Sequence, residues 1–139
     1  MIAYLDSSVI LRLVLNETDP LREWPEVERG VTSALAEVEV LRTLDRLRFL
    51  NPTLDLRGLA TRREAAFRVL ECLETIEITR VVLARAAQPL PTPLGTLDAI
   101  HLVSAMGWRE QFEGLFFATH DLALAAAARA SGFEVVGAM

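Results

Sequence analysis

Ile2-Ala3-Tyr4-Leu5-Asp6-Ser7-Ser8-Val9-Ile10-Leu11 opens the chain. Four residues from Ile2 read as a short buried strand, and a carboxylate follows at once. Ser7 or Ser8 can cap a helix that carries Val9, Ile10, Leu11, Leu13, Val14 and Leu15. Strand, acid, then helix is the opening unit of an α/β fold. The same alternation continues along the chain and predicts a parallel sheet flanked by helices.

Working outward, Asp19-Pro20 breaks the first helix, and a short helix follows around Trp24 to Glu28. Gly30-Val31-Thr32-Ser33 reads as a second strand and cap. Leu35, Val38, Leu41, Leu44 and Leu47 recur at helical spacing from Ala34 to Leu50, and Asn51-Pro52 ends that helix. A further helix is expected from Leu59 to Leu73, then a strand at Ile76-Glu77-Ile78 and a helical turn from Val81 to Ala87. Pro89, Pro91 and Pro93 stiffen a loop. Helix resumes at Leu97 and runs to Met106 or Trp108. Leu115 to Thr119 is a strand and Leu122 to Ala130 a helix stopped by Gly132. Phe133-Glu134-Val135-Val136 closes the chain as the last strand. The expectation is one domain over residues 1–139, with a central sheet of four to five strands.

Four acids sit where a strand ends or a helix begins. Asp6 follows Leu5, Glu39 lies early in the Ala34 helix, Asp98 opens the Leu97 helix, and Asp121 follows Thr119-His120. In an open α/β sheet such positions converge on one edge, where ligands bind. Carboxylates gathered there repel one another unless a cation joins them. Mg²⁺ or Mn²⁺, hard ions that prefer oxygen, suit such a set. Each acid also has a local role open to it. Asp6 and Asp121 can cap the helices that follow them, and Asp98 can answer the positive end of its own helix, just past Thr96. Glu37 and Glu39 lie roughly 160° apart on the helix, so one of them alone can face a given pocket. Periodicity leaves the choice open: Glu37 is nearer the Val38-Leu41-Leu44 stripe, whereas Glu39 can pair with Arg42. His101, on an apolar helix, reads as a satisfied core histidine. His120 adjoins Asp121 and can reach substrate.

Composition narrows the classes. At 139 residues and 52% hydrophobic the chain can build a sizeable core, and disorder is excluded. No apolar run reaches the ~18 residues of a membrane span, and the start reads as a strand, not a signal peptide. Cys72 is the sole cysteine, so no internal disulfide forms, and the cytoplasm is the expected compartment. The net charge of −5 leans away from nucleic acid, yet a bound divalent ion reverses the sign locally. All fourteen basic residues are Arg, whose planar fork suits phosphate, although solvated helix faces explain most of them.

Leu5-Asp6-Ser7-Ser8, Thr32-Ser33-Ala34-Leu35 with Glu39-Val40-Leu41-Arg42, Leu97-Asp98-Ala99-Ile100-His101-Leu102 and Thr119-His120-Asp121 together resemble the PIN domain. More narrowly they are similar to the VapC-type toxins of bacterial toxin–antitoxin pairs. The likeness runs from the first strand to Val136. It implies an Mg²⁺-dependent ribonuclease site built from Asp6, Glu39, Asp98 and Asp121, and it selects Glu39 over Glu37 by the register Glu39-Val40-Leu41-Arg42. It further implies an RNA substrate, a small antitoxin partner and a homodimer. The Asp19 to Pro25 stretch and the Pro89 to Pro93 loop look particular to this chain. A PIN nuclease without antitoxin and a PIN-like module that binds without cutting are the neighbouring readings. An aspartyl-phosphate enzyme is disfavoured, because the haloacid dehalogenase-like phosphatases and response regulators imply a phosphate-supporting Lys, and this chain has none.

Overall fold

Strand β1 (Ile2–Leu5) alternates between two covered faces. Ala3 and Leu5 enter one apolar cluster and Tyr4 enters the other, which is why no polar residue interrupts the strand. The computed structural model describes residues 1–16 and 18–138. Helix α1 (Ser7–Leu15) follows β1. After a 3₁₀ turn at Trp24–Glu26 come β2 (Arg29–Ser33), α2 (Ala34–Leu50), α3 (Leu56–Glu71) and β3 (Leu73–Ile76). Then come α4 (Arg80–Ala86), α5 (Thr96–Arg109), β4 (Phe116–Ala118), α6 (Leu122–Ala130) and β5 (Val135–Val136).

The five strands form one parallel sheet in the order β3-β2-β1-β4-β5. Helices α1, α2 and α3 bury Val9, Ile10, Val14, Ala36, Val40, Leu44, Leu59 and Ala66 against one face. Helices α5 and α6 bury Leu102, Ala105, Leu124, Ala127 and Ala128 against the other, where Phe117 stacks on Tyr4. Helix α4 packs on α5. The chain adds strands outward from β1 on one side and then returns to lay β4 on the other. That reversal makes the carboxyl ends of the adjacent strands β1 and β4 a topological switch point, the usual ligand position of an open α/β sheet.

Several boundaries differ from the sequence reading. The third strand is Leu73–Ile76 instead of Ile76-Glu77-Ile78, because Leu73, Glu74, Thr75 and Ile76 pair with Gly30 to Ser33 of β2. Helix α3 accordingly starts earlier, capped by Asp55, and ends at Glu71. The last strand shrinks to Val135–Val136, the two residues in register with Phe117 and Ala118. Ser7 and Ser8 do not cap α1; Asp6 does, accepting from the Val9 N–H. The residue before α5 is Gly95, so Thr96 is its first residue and not its cap.

Candidate active site

Asp6 lies one residue past β1, at that switch point. It is buried, 4% exposed, and both of its oxygens are engaged. Oδ1 accepts from the Ser8 hydroxyl at 2.6 Å and from the Val9 N–H at 3.3 Å. Oδ2 accepts from the Thr119 hydroxyl at 2.8 Å. Thr119 is itself fully buried one residue past β4, and its Oγ1 accepts from the Asp121 N–H at 3.0 Å. Asp121 then caps α6, accepting from the Leu124 N–H at 2.8 Å. Ser8 Oγ accepts from the His120 N–H at 2.9 Å, which ties the turn after β4 to the start of α1. One buried hydroxyl thus links the first of the four acids to the last.

Glu39 comes from the second turn of α2. Its side chain is 21% exposed, and Oε1 lies 2.5 Å from His101 Nε2. Glu37 is exposed on the other side of the helix. The wheel left these two even; the His101 contact places Glu39 inward. Asp98 sits in the first turn of α5, where the helix dipole favours a negative charge. It is partly buried, and burial raises its pKa above the ordinary carboxyl value. The negative charges of Asp121, Asp6 and Glu39 push it further up, while His101 pulls it down. Burial likewise raises Asp6, against the hydrogen bonds from Ser8, Thr119 and the Val9 backbone.

The four acids picked out in the sequence therefore come from four separate stretches of chain, and the other three act on the Asp98 carboxyl. Two participants were not foreseen. Thr119 was read as the last residue of a strand, although a hydroxyl at the end of a buried strand demands a partner. Tyr4 was read as strand core, yet a buried phenol also needs a partner, and it finds His101 Nδ1 at 2.7 Å. His101 is satisfied in the core, as its surroundings suggested, but one of its two partners is a pocket acid.

Among the described residues no group of three or more His, Cys, Asp or Glu closes into a ready cage for an ion. Mg²⁺ does not require one. It keeps several waters and is commonly held by one or two carboxylates. Asp6 and Asp98, oxygen donors close enough to feel each other's charge, fit that pattern, and the repulsion among the acids gives a cation something to relieve.

The raised carboxyls have a measurable consequence. A carboxyl whose folded pKa exceeds its unfolded value binds more protons folded than unfolded between the two values. Stability then falls as pH rises through that window, and the penalty is fully present above the folded pKa. For Asp98 the window opens at the ordinary value of 3.8 and extends upward. In chelator, Asp98→Asn is expected to melt above wild type at pH 7, by a few degrees at most because solvent screens a half-buried group. The gap should close as pH approaches 4. A gap that is negative at pH 7, or independent of pH, contradicts the assignment.

Comparison with known proteins adds a family. A family model described as PIN domain matches residues 3–130. Ribonuclease VapC46 of Mycobacterium tuberculosis is 36% identical over 136 residues, covering 96% of this chain and 95% of that one. Ribonuclease VapC47 of Mycobacterium tuberculosis is 30% identical over 137 residues, covering 94% and 92%. Among solved structures, a chain of a toxin-antitoxin complex from Klebsiella pneumoniae superposes with a TM-score of 0.68 at 17% identity, covering 96% of this chain and 95% of that one.

Proposed function

Because the chain belongs to the PIN domain family, in its VapC branch, we propose that it is the toxin ribonuclease of a toxin–antitoxin pair. It hydrolyses RNA phosphodiester bonds at the acidic pocket with Mg²⁺ or Mn²⁺. One observation carries the site: the Asp98 carboxyl is raised by its burial and, beyond that, by the charges of three acids from elsewhere in the sequence. Such a cluster is costly without a cation and useful with one. RNA as the substrate is supported by the relatives named as ribonucleases. The toxin–antitoxin structure of the same fold supports an antitoxin partner, whose basic side chains would enter the pocket. A homodimer and a cytoplasmic home complete the reading. Among the described residues no helix is long and apolar enough to cross a membrane.

Asp6 and Asp98 would hold the ion, with Glu39 and Asp121 completing the pocket. When bound, the ion supplies Lewis acidity: it makes a water a competent nucleophile near neutral pH and offsets charge on the phosphate oxygens. The chain's own residues do the positioning. Ser8, Thr119 and the Val9 N–H fix the plane of Asp6 from three directions. The Leu124 N–H holds one oxygen of Asp121 and leaves the other to accept from water. The burial of Asp6 keeps bulk water from screening it. Because water attacks and the ribose 2′-OH does not, the products carry 5′-phosphate and 3′-hydroxyl ends. Incubation of the purified chain with RNA and Mg²⁺, followed by end mapping, tests this. Ends that ligate directly through a 5′-phosphate are expected. Ends with 5′-hydroxyl and cyclic phosphate, or no cleavage of any RNA in a total cellular pool, overturn it.

A further inference from the structure

Behind the acidic pocket, three side chains from three elements form a line. Tyr4 of β1 and His101 of α5 are buried, at 0% and 1% exposure, and Glu39 of α2 ends the line at the pocket. The Tyr4 hydroxyl meets His101 Nδ1 at 2.7 Å, and Nε2 meets Glu39 Oε1 at 2.5 Å. The proton inventory of these groups restricts the arrangement. A carboxylate only accepts, so Nε2 must carry a proton. A neutral ring with its proton on Nε2 has a bare Nδ1, and the phenol O–H is the donor that bare nitrogen needs. The opposite tautomer would set the Nε2 lone pair against the carboxylate. The carboxylate, an acceptor only, therefore selects a ring that donates from Nε2, and the Tyr4 hydroxyl, which can donate or accept, satisfies Nδ1.

This matters because Glu39 has reason to leave. It carries the same charge as Asp6, Asp98 and Asp121, and its three flexible torsions offer escape to solvent, as its exposed neighbour Glu37 shows. With Oε1 held by His101, Oε2 remains for the pocket. We propose that Tyr4 and His101 are positioning residues, which hold Glu39 with one oxygen turned into the acidic pocket. This rests on the reading that the pocket cuts RNA; neither residue touches substrate. Orienting partners of this kind commonly contribute about tenfold to a hundredfold in activity.

The test combines a coupling experiment with a direct view of the ring. RNA cleavage is measured at saturating Mg²⁺ for wild type, Tyr4→Phe, His101→Leu, His101→Gln and Glu39→Gln, and for Tyr4→Phe and His101→Leu each combined with Glu39→Gln. His101→Leu is expected to lose about tenfold to a hundredfold in kcat with little change in KM. His101→Gln, whose amide can accept from Tyr4 and donate to Glu39, should recover most of that loss. Neither Tyr4→Phe nor His101→Leu should lower activity further once Glu39 is Gln. Equal losses with and without Glu39 overturn the proposal, since a residue that only packs the core has no reason to depend on Glu39. Long-range ¹H–¹⁵N spectra of the wild-type ring need no activity and no variant. A proton on Nε2 is expected, and a neutral ring protonated on Nδ1 overturns the proposal even if His101→Leu fails to fold. Wild type that cuts no RNA defeats the ribonuclease reading instead, and the ring spectrum then still decides whether the line exists.

Discussion

Asp6→Asn and Asp98→Asn are expected to cleave RNA at less than about a hundredth of the wild-type rate while keeping the fold. Removing one preorganised electrostatic contact from a reacting centre typically costs about 3–4 kcal/mol, or two to three orders of magnitude in rate. The substitution changes charge but hardly changes shape. At position 6 the amide oxygen can still accept from Ser8 and the Val9 N–H. On the other side an NH₂ replaces the oxygen that accepts from Thr119, so the hydroxyl must turn, at about 1 kcal/mol. The end of burying a charge works in the opposite direction, so melting should shift by only a few degrees. At position 98 the change is milder still, because the side chain is half-buried and makes no hydrogen bond that the fold requires. Glu37→Gln is the control: Glu37 is exposed and outside the pocket, and its variant should stay within about twofold of wild type. Wild-type cleavage by either Asn variant, purified free of contaminating nuclease, would end the assignment of that acid.

The second large effect is on the cation. A chelator is expected to abolish cleavage by the wild-type chain, and added Mg²⁺ or Mn²⁺ to restore it. A pocket in which burial and then the charges of Asp121, Asp6 and Glu39 raise the proton affinity of Asp98 should repel the phosphates of RNA when empty. The same binding must appear in stability. A ligand at a hundred times its dissociation constant adds about 2.7 kcal/mol to the folded state, which is several degrees of melting temperature in a chain of this size. Asp98→Asn should lose most of that gain. Calorimetric titration of the wild-type protein provides an independent reading. Undiminished cleavage in excess chelator, or a melting temperature that ignores Mg²⁺ up to millimolar levels, is the result that overturns the metal assignment.

Much of this was visible in the amino-acid order, for reasons that can be named. Helix α2 runs from Ala34 to Leu50, as its leucine spacing indicated, because Ser33 before it and Asn51-Pro52 after it act on their immediate neighbours. Strand β1 and the carboxylate that ends it were legible for the same reason: a short apolar run followed by a capping acid is a local pattern. Strand β3 was misplaced by three residues because Ile76-Glu77-Ile78 alternates and Leu73-Glu74-Thr75-Ile76 does not. Pairing with β2 decides between them, and that pairing spans 43 positions of sequence from Gly30 to Leu73. The cap of α1 was left open among Asp6, Ser7 and Ser8 for a related reason. Ser7, Ser8 and Asp6 are all good caps, and Ser8 is drawn instead to Asp6 Oδ1 and to the His120 N–H.

By itself, then, the order of residues determined an alternation of strand and helix with three acids at element boundaries and a fourth early in a helix, since hydrophobic periodicity and capping operate within a turn or two of chain. Only the folded molecule decided that Glu39 and not Glu37 turns inward, that Thr119 joins Asp6 to Asp121, and that His101 stands between Tyr4 and Glu39. Those choices come from hydrogen bonds between groups 113, 97 and 62 positions apart. No pattern along the chain records such separations, because the partners become neighbours only once the parallel sheet has brought β1, α2, α5 and the end of β4 together.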